Sequence, residues 1–160
     1  MIRVGFSTSR SLVSRIIRAF TRSPVSHAFL VVDDSFFGLP LVMEADRNGF
    51  VLVPFKGYAD AHQVVALFEP LYPLETGVKL AAEWLGTRYD YVGVLGMFFV
   101  VVGRWFGRKV RNPLVSSRAV FCSEVLARVL MASGYPGSDA LDPDNTSPAE
   151  LLAFLRAANP

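Results

Sequence analysis

Between Pro24 and Pro70 the chain carries four short apolar runs with very little sequence to join them. "HAFLVV" (27–32), "LVMEA" (41–45), "GFVLVPF" (49–55) and "HQVVALFEP" (62–70) are rich in β-branched and aromatic residues. The segments between them, "DDSFFGLP", "DRNG" and "KGYADA", are short and rich in turn formers. A parallel crossover needs about a dozen or more residues, which these connections do not supply. The spacing therefore predicts an antiparallel meander of about four strands, with "DRNG" closing a hairpin between the second and third.

On either side of the meander the apolar period is helical. "IRVGFS" (2–7) reads as a further strand, and "SLVSRIIRAFTRS" then places Val13, Ile16, Ile17 and Phe20 on one face, with Ser9 or Ser11 as N-cap and Pro24 as a stop. Arg15, Arg18 and Arg22 fall on the other face and are expected to be solvated. After the meander, Val78, Leu80, Ala81, Trp84 and Leu85 form another helical stripe that Gly86 can end. A third stripe, Val125, Leu126, Val129 and Leu130, lies in the stretch from Phe121 to Ser133, before Gly134. Strands followed by helices predict an α+β architecture, an antiparallel meander or barrel packed against helices.

With 160 residues, 52% of them hydrophobic and 19% charged, the chain can bury one good core, and residues 1–160 are expected to form a single domain. A formal net charge of +2 gives no electrostatic case for a nucleic-acid partner. The amino-terminal "MIRVGFSTSRSLVS" has no apolar run followed by a small-residue cleavage site, so no secretory signal is expected and a cytoplasmic location is the default. The uncharged run from Val92 to Gly103 is shorter than the roughly 18 to 20 residues that span a bilayer. Continued through Trp105 and Phe106 into Arg104, Arg108, Lys109 and Arg111, the segment Val92 to Arg111 is either a core helix with a basic exit or a contact for an anionic membrane surface.

The polar residues that carry chemistry are few. Cys122 is the only cysteine, so no intrachain disulfide or thiol pair can form. It falls in or beside the first turn of the third helix, where unpaired N–H groups and the helix dipole favour thiolate over thiol. The alternative is a small buried hydrophobe. A cysteine nucleophile needs a base, and the base needs a group to orient it. His27 opens the first strand of the meander, and Glu44 ends an apolar strand next to it, where an unpaired carboxylate would be costly to desolvate. His62 is a second candidate base, placed in a connection ahead of a strand.

Taken together, "SRIIRAFTRSPVSHAFLVV", "VMEADRNGFVLVPF", "RYDYVGVLG", "AVFCSEVLARVL" and "NTSPAELLAFL" resemble the permuted papain-like proteins of the NlpC/P60 superfamily, the YiiX-like group, over roughly residues 4 to 155. In that group the histidine strand precedes the cysteine helix, as here. The resemblance implies a circularly permuted papain-like fold, with Cys122 as nucleophile, His27 as its base and Glu44 as the residue that orients the histidine. Tyr89 and Tyr91, in the matching "YDY" segment, would line the substrate cleft or pack beside it, and Asp90 would cap the next helix.

No metal or organic cofactor is implied. The implied activity is a cysteine amidase or peptidase acting through an acyl-thioester on a peptide or amide. Lipid-directed acyl transfer or thioester hydrolysis, and a binding module without catalysis, are the other readings. The apolar "GMFFVVVGRWF" and its basic flank depart from the group's pattern.

Overall fold

The computed structural model describes residues 1–90, 96, 99–103, 105–108, 110–111 and 119–159. Its centre is a five-stranded antiparallel sheet built from β1 (Ile2–Thr8), β2 (His27–Asp34), β3 (Leu39–Asp46), β4 (Gly49–Pro54) and β5 (Gln63–Phe68), in the order β4-β3-β2-β1-β5. The β2–β3–β4 part follows the meander expected from the short connections. Met43 faces Leu30, and Asp46 faces Gly49 across the "DRNG" turn.

The fourth run departs from that expectation. β5 does not extend the meander beyond β4 but pairs antiparallel with β1 at the opposite edge. The cause is α2 (Phe55–Ala61), which occupies the stretch read from sequence as a plain connection. Gly57 and the absence of a capping side chain hide this helix from sequence reasoning, and it is held by tertiary packing. Tyr58 is buried against Phe29, Val31 and Val42 on one face of the sheet.

Sheets twist and coil as a rule, and α2 with the residues that flank it carries the chain from β4 to β5 at the opposite edge. The sheet does not close: among the described residues its ladder ends at β4 and β5, so it is an open sheet and not a barrel.

The other face carries the main core. Val4, Phe6, Ala28, Leu30, Met43, Ala45 and Phe50 project from the strands toward α3 (Glu75–Ala82), α4 (Cys122–Ala132) and α5 (Pro148–Ala158). Val125, Leu126, Val129 and Leu130 are all buried there, as the helical stripe predicts. Gly134 ends α4 with φ +63°, a conformation that glycine adopts without a Cβ penalty.

α5 has a complete capping box in which the Ser147 N–H donates to Glu150 at 2.8 Å and the Glu150 N–H donates to Ser147 Oγ at 3.4 Å. A short parallel pair, β6 (Arg88–Tyr89) with β7 (Ala119–Val120), leads straight into α4. The chain before β6 is fastened to β4, with Gly86 N–H donating to the Phe50 carbonyl at 2.8 Å and Phe50 N–H to the Thr87 carbonyl at 2.9 Å.

α1 (Leu12–Thr21) is the second departure. Ser11 caps it as expected, but its stripe is not core: Val13 is 58% exposed, and Ser14 is the one residue of the helix that is fully buried. Hydroxyl contacts hold the helix instead. Ser14 Oγ lies 2.6 Å from Ser26 Oγ and 3.0 Å from Thr8 Oγ1, all three buried. Hydrogen bonds of this sort satisfy the buried hydroxyls and fix the position of α1 without burying its apolar side.

α3 packs tightly on α4 at Gly77, where an added Cβ would stand 2.1 Å from the Val129 carbonyl oxygen. Gly77→Ala is expected to force the helices apart and to cost about 1–3 kcal/mol, read as a lower midpoint in urea unfolding with little change in slope.

Candidate functional site

His27 begins β2 directly after the Pro24–Ser26 turn, with Ser7 of β1 as its cross-strand neighbour. Extending the β2–β3 register by one step sets Glu44 opposite Phe29, diagonal to His27 and on the same face of the sheet. The side chains meet there: His27 Nε2 and Glu44 Oε2 are 2.9 Å apart. Only 17% of the histidine side chain and 6% of the carboxylate are exposed. A carboxylate in an apolar strand is thus compensated by a charge partner.

Cys122 approaches from the other side. It is the first residue of α4 and is buried, and the N-terminus of that helix abuts the start of β2. The Ala28 and Ser123 backbone N–H groups and the His27 ring are the groups that favour the charged form of its sulfur. Glu44 occupies Nε2, so Nδ1 is the ring nitrogen left to serve the thiol.

The electrostatics are those of a mutually stabilised pair. Burial pushes the Cys122 thiol up, but the His27 charge and hydrogen bond, followed by the Ala28 and Ser123 amides, hold it below its ordinary value. Burial pulls His27 down, yet the Cys122 thiolate, and after it Glu44, raise it from 6.5 to about 10. Three of the residues singled out from sequence therefore converge, in the order thiol, imidazole, carboxylate.

The remaining candidates stand around this centre. Tyr89 lies between two cavities, because the β6–β7 pairing sets it beside Val120, two residues before Cys122. Tyr91 lies outside the described residues, as do 92–95, 97–98, 104 and 109 of the segment Val92 to Arg111. Asp90 is buried, and the residues that directly follow it, 91–95, lie outside the described ones. Within the apolar segment Phe99, Trp105 and Phe106 are exposed, and Trp105 stacks on Phe20 of α1 at 5.6 Å between ring centres. Among the described residues no helix is long and apolar enough to cross a membrane.

Two aromatic residues stand behind the pair: His62, the second candidate base, and Tyr58, which no sequence signal marks. His62 stacks on Tyr58 at 4.4 Å, its Nδ1 3.2 Å from the Tyr58 carbonyl, and its ring centre lies 6.5 Å from that of His27. It forms part of the cleft wall, while His27 holds the contact with the thiol. Tyr58 also bonds Ser7 across 2.5 Å, and burial raises its hydroxyl well above the ordinary range. Glu124, two residues after the cysteine, is buried and structural: it accepts from Arg128 at 3.0 Å, and Arg128 reaches Asp144 at 3.2 Å.

Two spaces flank the pair. An apolar slot is lined by Ile17, Phe20, Tyr89, Val101, Phe121 and Cys122. A wider cleft of about 570 Å³, on the histidine side, includes His27, Glu44, Asp46, Arg47, His62 and Tyr89.

No protein-family model matches the sequence, and no curated protein matches it. The structure is similar to the crystal structure of the metalloprotein YiiX from Escherichia coli O157:H7, with a TM-score of 0.57 and 21% sequence identity. The match covers 82% of this chain and 64% of that one, so the chain spans less than two thirds of the length of YiiX. The fold is YiiX-like: a mixed α+β arrangement with a five-stranded antiparallel sheet packed on helices. Among the described residues of this chain no group of three or more His, Cys, Asp or Glu side chains could hold a metal ion. The residues described do not fit the kind of centre that the neighbour's description names.

The pair has a definite pH signature. The raised His27 stabilises the fold fully below about pH 6.5 and loses that contribution as pH climbs through about 10. The lowered Cys122 contributes fully above its ordinary 9.0 and loses its contribution as pH falls through its depressed value. Above the depressed Cys122 value and below 9.0 the two slopes oppose each other, so this pair is expected to flatten the stability curve there and to let it decline from 9.0 toward 10. Cys122→Ser removes the largest raising influence on His27, and the histidine should titrate well below 10, further down than in Glu44→Gln. Imidazole NMR of the three proteins checks the order.

Proposed function

We propose that this chain is a cysteine hydrolase, an amidase or peptidase, in which Cys122, His27 and Glu44 act as nucleophile, acid–base and orienting group on a peptide or amide. The observation that carries the reading is the 2.9 Å contact from Glu44 to one side of the His27 ring while the other side serves a thiol at a helix N-terminus. The chain order supports a permuted papain-like fold of the NlpC/P60 type: the histidine strand comes first, then the acid on the next strand, then the cysteine helix.

In this mechanism the Cys122 thiolate attacks the carbonyl carbon, and the negative charge moves to the carbonyl oxygen. The backbone N–H of Cys122, in the first turn of α4 where the helix itself offers no acceptor, supplies a donor for that oxyanion. Protonated His27 then gives its proton to the departing amine as the C–N bond breaks, leaving a thioester on Cys122. His27 next takes a proton from water, hydroxide adds to the thioester, and collapse releases the acid and restores the thiolate–imidazolium pair. Glu44 stays ionised throughout, holding the ring and offsetting its positive charge.

A second reading, acyl transfer or thioester hydrolysis on a lipid-like substrate, is favoured by the apolar slot that ends at Cys122 and by exposed Trp105 and Phe106 near it. Co-sedimentation with vesicles of anionic phospholipid separates the two. Salt-sensitive binding supports the lipid reading, and its absence supports soluble amides.

Iodoacetamide alkylation tests the shared chemistry. A free thiol reacts with a midpoint near pH 8.5, whereas Cys122 is expected to label rapidly down to about pH 6. His27→Ala should abolish the low-pH reactivity, and Glu44→Gln should weaken it. Slow labelling confined to alkaline pH in every protein would remove the basis for the reading.

A further inference from the structure

The first turns of α1 and the end of α2 enclose a second groove, about 830 Å³, lined by Thr8, Ser9, Arg10, Arg15, Arg18, Asp60, His62 and Gln63. It is continuous with the cleft that holds His27, because Thr8, Ser9 and His62 line both. Sequence reasoning assigned Arg15 and Arg18 to a solvated helix face. The structure turns that face over the approach to the reacting pair, since the hydroxyl cluster around Ser14 fixes the helix there.

The charges in this groove are unbalanced. Arg10, Arg15 and Arg18 face a single carboxylate, Asp60, and none of the three arginines forms an ion pair among the described residues. Arg18 Nε is buried with no hydrogen-bond partner. The planar guanidinium forks of arginines at a groove match a carboxylate or a phosphoryl group. In the adjoining cleft Arg47 offsets Asp46, whose carboxylate is already taken by the Asn48 backbone N–H at 2.7 Å, and Glu44 is matched by His27. The positive charge that remains is concentrated at the α1 end.

We infer that the Arg10–Arg15–Arg18 groove is an anion subsite of the cleft that holds His27, and that it takes a carboxylate or phosphoryl group of the substrate while the reacting carbonyl lies at the thiol. The inference rests on the reading of Cys122 and His27 as a reacting pair. It adds a substrate class: amides, esters or thioesters that carry an anionic group on the side opposite the apolar slot.

The test labels Cys122 in the full chain at about pH 6 with maleimidohexanoate and with its uncharged primary amide, which differ only in the end group. The acid is expected to outpace the amide by on the order of tenfold at low salt. That ratio should fall toward one in the Arg15→Gln/Arg18→Gln double variant, and also in the unaltered protein as sodium chloride is raised. Inorganic phosphate that suppresses the preference at lower concentration than acetate assigns a phosphoryl group, and the reverse order a carboxylate.

A ratio near one at low salt, or a ratio that the double variant leaves unchanged, overturns the subsite while the amide's own rapid labelling still supports the reacting pair. Slow labelling by the amide would overturn the pair itself, and the subsite with it.

Discussion

The docking of the first turn of α4 against the first residues of β2 is the contact on which the site depends. It brings the Ala28 amide and the His27 ring to one sulfur atom, and the helix supplies its own Ser123 amide from behind. None of these groups is strong alone. Together they outweigh the burial that would otherwise keep the thiol protonated, because each donor acts at short range in a place that water barely reaches. The large apolar face of α4, with Val125, Leu126, Val129 and Leu130 in the core, makes that docking rigid.

The same economy explains α1. A helix with four apolar residues on one side would ordinarily be pulled into a core, yet here buried hydroxyls of Thr8, Ser14 and Ser26 do the fastening. The apolar side is left to shape the slot at Cys122, and the basic side is left to face the polar groove. One helix thus borders both the slot at the thiol and the cleft at His27, with Tyr89 between them.

Much of the local structure was legible. β-Branched runs, the "DRNG" turn and the glycine after α4 predict their elements to within a residue or two. The candidates Cys122, His27 and Glu44 were also visible, because a carboxylate in an apolar strand and a thiol at a helix start are each unusual enough to need a partner. The helix at Phe55–Ala61 was not legible. Its glycine and uncapped start argue against a helix, and only the burial of Tyr58 against Phe29 stabilises it. That one helix moves β5 from one edge of the sheet to the other, and it also brings His62 to the cleft wall.

The sequence by itself determined where the five strands of the main sheet and the helices other than α2 lie, and which three polar residues needed company, since periodicity, turn chemistry and desolvation cost act over a few neighbouring residues. Tertiary structure decided what those residues face. The edge that receives β5, the exposure of the α1 stripe, the Nε2 contact that leaves Nδ1 to the thiol, and the gathering of Arg10, Arg15 and Arg18 beside His62 all depend on contacts between distant segments. The physical reason is the twist and coiling of the sheet together with the helices packed on it. Side-chain spacing along one segment carries no information about which other segment that curvature will bring within hydrogen-bond reach.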